Sequence, residues 1–393
     1  MLVVGASPVA DTLVDLFVIL LAAKAGDELF KRIGQPAIIG EILAGVLVGP
    51  AVLGWVDVGE TVEVFAELGA VFLLFWVGLE TKLDDLRDVG RTAGVVGVLG
   101  VVLPFAGGAG FAAAVGEGRE VVVFSGAALV ATSVGITSAV LSELGLVRTP
   151  AGRTILGAAV VDDILAMLIL GVAVGLAAEG GADFTSLAVS AVLAVAFVAF
   201  FALGGTSFMQ RRPGILKAPR FSESPLLPAV LICLGLAALS SQIGLAAIIG
   251  AFLAGMMVAE TKEQHPIEKE VAPLYAFFPP FFFAFIGLQL DLDAYVSLET
   301  LGLLAAVTVV AVLTKFVGSW VGALRLGRRE AAIVGVGMVP RGEVGIVIAG
   351  IALAEGAVSD QFFAVVVGMS VLTTLLAPPV LRALARRPQP SYE

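Results

Sequence analysis

The sequence predicts an all-α membrane protein with 13 transmembrane helices. They form an inverted-topology repeat with two broken, crossing helices, N-terminus outside and C-terminus inside. Three observations predict this. The 393-residue chain is 59% hydrophobic and 14% charged, where a soluble domain has about 25% charged residues. Apolar stretches of about 20 residues, enough to cross a bilayer, recur along its length. The basic residues gather at alternate ends of those stretches. Gly 47 and Pro 18 fit the same class, because spanning helices tolerate both.

In order, the spans fall at 10–31, 36–54, 61–80, 92–115, 121–143, 151–178, 184–208, 225–242, 245–260, 271–289, 300–324, 331–354 and 363–383. Nineteen of the 23 Lys and Arg residues follow odd-numbered spans. Arg119 alone follows an even-numbered one, and Lys24, Lys315 and Arg341 lie inside spans. The even-side loops are acidic, with Asp57, Glu117, Asp293 and Asp360 among them. Positive charge stays inside, which fixes the orientation.

Spans 2–6 repeat as spans 9–13. "IIGEILAGVLVG" from Ile38 returns as "IIGAFLAGMMVA" from Ile248, 210 residues on. Gly78 pairs with Gly287, "TSVGIT" at 132–137 with "GEVGIV" at 342–347, and "VVDDILA" at 160–166 with "VLTTLLA" at 371–377. The copies begin seven spans apart, so they cross the membrane in opposite directions, as in many secondary transporters. Spans 5 and 12 are interrupted at equivalent places: "ATSVGITS" is poor in large apolar residues, and "MVPRGEVG" holds Pro340 and Gly342 mid-span. Such interruptions free backbone groups and leave half-helix ends with unpaired dipoles.

Charge deep in a bilayer is costly and marks a pathway. Asp162 and Asp163 of span 6 lie about 17 Å deep in a hydrocarbon core about 30 Å thick. Lys315 of span 11, and Arg341 and Glu343 of span 12, reach the same level. Neighbouring helical residues point about 100° apart. One aspartate therefore meets Lys315 while the other faces a water-filled cavity. Desolvation favours the protonated form of that second carboxyl, and its oxygens suit a hard cation such as Na⁺. A proton and a cation competing for Asp163, with Asp162 beside it, make an exchanger. If Lys315 also sheds a proton when the cation arrives, exchange is two protons per sodium and electrogenic.

Two readings stand for Thr132 and Ser133, as oxygen ligands or as caps of the broken backbone. Two stand for Arg341 and Glu343, as part of the ion path or as neutralisers of the half-helix dipoles. Glu41, Glu63 and Glu67 read as residues in interfacial solvent, or else as the lining of ion-entry funnels, and Trp55 and Tyr295 as interface anchors. Cys233 reads as core filler and His265 as a loop residue. No basic patch suits nucleic acid at a net charge of −10, no cofactor is indicated, and the N-terminus lacks the basic stretch of a signal peptide. An intramembrane aspartyl protease places its aspartates on separate helices, one in a GxGD setting absent here. A channel or an organic-acid symporter has little use for Asp162–Asp163 beside Lys315.

"GEILAGVLVGP", "FWVGLETKLDDL", "ATSVGIT", "VVDDILAM", "TKFVGSW" and "GMVPRGEVG" together resemble the monovalent cation:proton antiporter-2 family, and within it the electrogenic sodium/proton antiporters of the NapA/NhaA type. The resemblance implies a cell-membrane homodimer that exchanges Na⁺ or Li⁺ for H⁺ by an elevator motion. It implies scaffold helices at 1–89 and 223–296, core helices at 90–180 and 297–393, and a linker helix at 181–222. Asp163 is then the main ion carboxylate and Asp162 the partner of Lys315. Potassium/proton relatives, the alternative, usually carry Gln-Asp in place of Asp162–Asp163. They often add a cytosolic nucleotide-binding domain, for which 393 residues leave no room. Both differences favour sodium.

Overall fold

The structure, a computed structural model, describes residues 8–81, 83–177, 184–211, 224–261, 267–354 and 356–385. His265 and several loop cations, Lys217 and Lys262 among them, lie outside the described residues, so their sequence readings go no further.

Among the described residues the chain is helical throughout, with no strand. It begins with α1 (Pro8–Arg32), α2 (Ala37–Val48), α3 (Glu60–Leu79) and α4 (Leu83–Ala114). Span 5 becomes two half-helices, α5 (Arg119–Ala128) and α6 (Val134–Glu143), followed by α7 (Pro150–Ala177). α8 (Phe184–Ala199) runs through a π-helical stretch at Phe200–Gly205 into α9 (Thr206–Arg211). Then come α10 (Leu226–Gln242), α11 (Ala247–Ala259), α12 (Ile267–Phe277) and α13 (Pro279–Leu288). α14 (Leu298–Gly322) precedes a second split pair, α15 (Arg328–Gly337) and α16 (Glu343–Ala354), and α17 (Asp360–Ala385) closes the fold. The sequence read 271–289 as one helix. It is interrupted at Phe278 because Pro279 and Pro280 follow, and neither can donate a backbone hydrogen bond.

Seven helices among the described residues are long and apolar enough to cross a membrane, and several shorter ones are equally apolar. Large apolar side chains such as Phe17, Val192, Phe200, Leu231 and Val309 face outward. Water would make that surface unfavourable and hydrocarbon does not, so the chain is a multi-pass membrane protein.

Two sets of helices emerge from the packing. α2 and α3 pack on α13, α3 on α11, α1 on α2 and α10 on α11. Separately, α4 packs on α5, α7 and α14, and α17 on α14, α15 and α16. Glycine sets how closely they approach. A Cβ on Gly78 would stand 2.3 Å from the Phe252 carbonyl oxygen, and one on Gly255 2.2 Å from that of Phe75. The α2–α13 crossing copies this contact: a Cβ on Gly287 would stand 2.1 Å from the Ile42 oxygen, and one on Gly45 1.9 Å from that of Ala284. Likewise Gly126 abuts the Phe105 ring and Gly335 the Phe316 ring.

The left-handed glycines that end helices recur in step as well, Gly34 with Gly244, Gly116 with Gly327, and Gly145 with Gly356. The offset is 209 to 211 residues throughout. It also relates α1 to α10, a pair outside the repeat read from sequence. Gly40 meets the Gly26 carbonyl just as Gly250 meets that of Leu236.

Candidate functional site

The two interruptions meet. Between α5 and α6 the chain leaves the helix over Leu129–Ser133, and between α15 and α16 over Met338–Gly342. The Ser133 amide donates to the Pro340 carbonyl at 2.9 Å. The Thr132 hydroxyl reaches the Met338 carbonyl at 3.4 Å, and the Thr137 hydroxyl that of Gly337 at 2.7 Å. Gly342 lies so close that a Cβ there would be 2.6 Å from Ser133 Oγ. The break read in "ATSVGITS" therefore sits a little earlier than expected, since Gly135 to Ser138 are already helical.

Asp162 ties the α7 helix to this crossing. It is fully buried. Its Oδ2 accepts from the Thr132 amide at 3.0 Å, and its Oδ1 from Lys315 Nζ at 2.6 Å. Lys315, also fully buried, donates again to the Val130 carbonyl at 2.7 Å. The pair expected between spans 6 and 11 is thus present. A buried pair needs further partners for its remaining donors and acceptors, and here the broken backbone supplies one to each, the Thr132 amide to Asp162 and the Val130 carbonyl to Lys315.

Arg341 is wholly buried. Its guanidinium donates to the Val130 and Ala131 carbonyls at 2.9 Å each and to Ala311 at 3.3 Å. Val130 and Ala131 follow the C-terminal end of α5, where the helix dipole is negative. The guanidinium thus sits against the carbonyls of a half-helix end. Glu343, read together with Arg341 from the sequence, is the first residue of α16, and its side chain lies outside those described. The Arg341 backbone is held from α17. Its amide donates to Thr373 Oγ1 at 3.1 Å, and Thr374 Oγ1 donates to its carbonyl at 2.8 Å. Sequence reasoning missed both threonines, although "VLTTLLA" aligned with "VVDDILA" was the signal for them.

Thr132 and Ser133 are both buried. Ser133 Oγ caps α6 by accepting from the Ile136 amide at 3.5 Å, and the Thr132 hydroxyl bridges the two breaks. Both contacts are made to the broken backbone.

Asp163 lies on the other side of α7, 8% exposed. It opens on a crevice of about 10 Å³ between α7 and α6 on one side and α3 and α11 on the other, with Leu74, Val134, Ile249 and Phe252 among its walls. The sequence led us to expect a water-filled cavity here. The space holds about one water, because apolar side chains of both helix sets close over the carboxylate.

One further expectation is corrected. Glu41 is not in interfacial solvent: it is 6% exposed and faces Lys24 Nζ of α1 at 3.7 Å, whereas Glu63 and Glu67 are exposed. The Tyr295 hydroxyl donates to the Ala364 carbonyl of α17 at 2.6 Å. Trp55 is 63% exposed, and Cys233 is buried in the core, as read; exposure alone leaves the anchor reading of Trp55 open.

The chain matches the family model "Sodium/hydrogen exchanger, transmembrane" over residues 17–387. It is 36% identical over 367 residues to the Na(+)/H(+)-K(+) antiporter GerN of Bacillus cereus, covering 93% of this chain and 94% of that one. It is 33% identical over 379 residues to a Na(+)/H(+) antiporter of Enterococcus hirae, covering 95% and 97%. Its fold resembles that of the sodium proton antiporter MjNhaP1 of Methanocaldococcus jannaschii at pH 8, with a TM-score of 0.68 at 17% identity, covering 94% of this chain and 96% of the other. The chain therefore belongs to the transmembrane sodium/hydrogen exchanger family.

Proposed function

We propose that this protein exchanges Na⁺ or Li⁺ for H⁺ across the cell membrane, by alternating access and electrogenically. The observation that carries the reading is the placement of Asp163. Its carboxylate sits where the two helix sets meet, one residue from a buried Asp162–Lys315 pair and beside the crossed half-helices. Asp163 holds either the proton or the cation. Asp162, and the oxygens of Thr132 and Ser133, complete the cation's shell, and Asp162 releases Lys315 as it turns to the ion. The names of the GerN and Enterococcus hirae relatives support cation/proton exchange.

The 13 spans cross with the N-terminus outside and the C-terminus inside, and the constant offset of packing glycines supports two inverted copies. α1–α3 and α10–α13 form the scaffold of a homodimer, within 1–89 and 223–296. α4 from residue 90 onward, α5–α7 and α14–α17 form the moving core, within 90–180 and 297–393, and 181–222 links the two. Sliding of the core past Leu74 and Phe252 bares Asp163 to each face in turn.

The experiment is transport in proteoliposomes carrying a pH-sensitive dye. Added Na⁺ dissipates a preset pH gradient with the wild type and leaves it intact with Asp163→Asn. A wild type silent to Na⁺, Li⁺ and K⁺ overturns the reading. A second reading, K⁺ in place of Na⁺, is favoured by the name of the GerN relative, and a gradient that K⁺ alone dissipates selects it.

A further inference from the structure

Lys315 carries three N–H donors, and Asp162 Oδ1 and the Val130 carbonyl take two. Once a cation takes Asp162, a wholly buried ammonium keeps one bond to a carbonyl, which is a poor setting for a charge. The charged groups that face it are Asp162 and Asp163 from α7 and Arg341 from the break. Arg341 repels an ammonium, and both carboxylates belong to the cation by then. Another acceptor is needed within reach.

Ser319 lies one turn further along α14, on the same face as Lys315. It is wholly buried, and its Oγ has no hydrogen-bond partner among the described residues. A buried hydroxyl left unbonded calls for an explanation. Gly100 of α4 supplies it. A Cβ at Gly100 would stand 3.2 Å from Ser319 Oγ and 3.6 Å from Lys315 Nζ. Ammonium and hydroxyl thus border one gap, kept open because position 100 has no side chain.

We propose that Ser319 is the second seat of the Lys315 ammonium: when the cation draws Asp162 away, Nζ swings across Gly100 onto Ser319 Oγ and keeps its bond to Val130. Ser319 is then a positioning residue that stabilises the cation-bound state without touching the cation. The assignment rests on the exchange reading above, and the ammonium gives up its second, electrogenic proton from the Ser319 seat.

The test is Na⁺-driven proton flux in proteoliposomes for wild type, Ser319→Ala, Ser319→Thr, Lys315→Gln and Lys315→Gln/Ser319→Ala, with KM and maximal rate read separately. Loss of a hydrogen bond to a charged group is expected to raise the Na⁺ KM of Ser319→Ala about tenfold. Threonine, which keeps the hydroxyl, restores it. In the Lys315→Gln background, where there is no ammonium to seat, Ser319→Ala leaves KM unchanged. Gly100→Ala, which fills the gap, raises KM as Ser319→Ala does. If Lys315→Gln does not turn over, the same four-way comparison is made on Na⁺-induced thermal stabilisation of the purified protein. A wild-type KM in Ser319→Ala, or an equal effect in the presence and absence of Lys315, overturns the assignment. A wild type that moves no protons with any cation sinks the exchange reading instead.

Discussion

Lys315 Nζ and Asp162 Oδ1 lie 2.6 Å apart with neither side chain reached by solvent. Removing one member of such a pair strands the other. Asp162→Asn is expected to destabilise the protein by about 3–5 kcal/mol, seen as a lower unfolding temperature in detergent. Asp162→Asn/Lys315→Met is expected to recover most of the loss. A single variant as stable as wild type would show that the pair is not what holds α7 to α14.

Asp163 behaves in the opposite way. Its crevice walls are apolar, so a neutral amide avoids the cost of a desolvated charge. Asp163→Asn is expected to unfold at or above the wild-type temperature while cation-driven proton flux falls to the background of empty liposomes. Retained flux would remove Asp163 from the ion path.

Among the described residues, Arg341 serves backbone carbonyls. Arg341→Met leaves the Ala131 and Ala311 oxygens without the guanidinium, at about 1–3 kcal/mol each. Arg341→Lys offers one point of charge where a planar fork served separate oxygens, and is expected to fall between methionine and wild type. The order of unfolding temperatures checks this. A lysine variant below methionine contradicts it.

These contacts mark where sequence reading stopped. Aspartates and a lysine inside apolar runs are conspicuous because charge there is rare, and Pro340 and Gly342 announce a break by backbone chemistry alone. The partners of Arg341 are carbonyls, which every residue has, so no side-chain pattern points to Val130, Ala131 or Ala311. Glu41 looked like a residue at the membrane face because its partner, Lys24, belongs to another helix. α1 and α10 escaped the repeat because they share few side chains. They share how closely a neighbouring glycine lets the backbones approach.

That close approach has a cost that substitution exposes. Gly255→Ala places a methyl group 2.2 Å from the Phe75 carbonyl oxygen, and Gly45→Ala places one 1.9 Å from that of Ala284. Neither backbone can give way alone, so α3 must part from α11 and α2 from α13. Each variant is expected to lose about 3 kcal/mol, and the two losses to match within error. Denaturation of the purified variants measures both.

Thr373 and Thr374 stand 211 residues after Asp162 and Asp163, and Thr373 holds the Arg341 amide much as Asp162 holds that of Thr132. One copy of the architecture secures its interrupted helix with an uncharged hydroxyl. Tethering such a strand does not call for an anion. The Thr132 amide therefore does not require the charge at Asp162. Within the fold that charge answers the Lys315 ammonium, and an ion arriving from solution competes with the lysine, not with the tether.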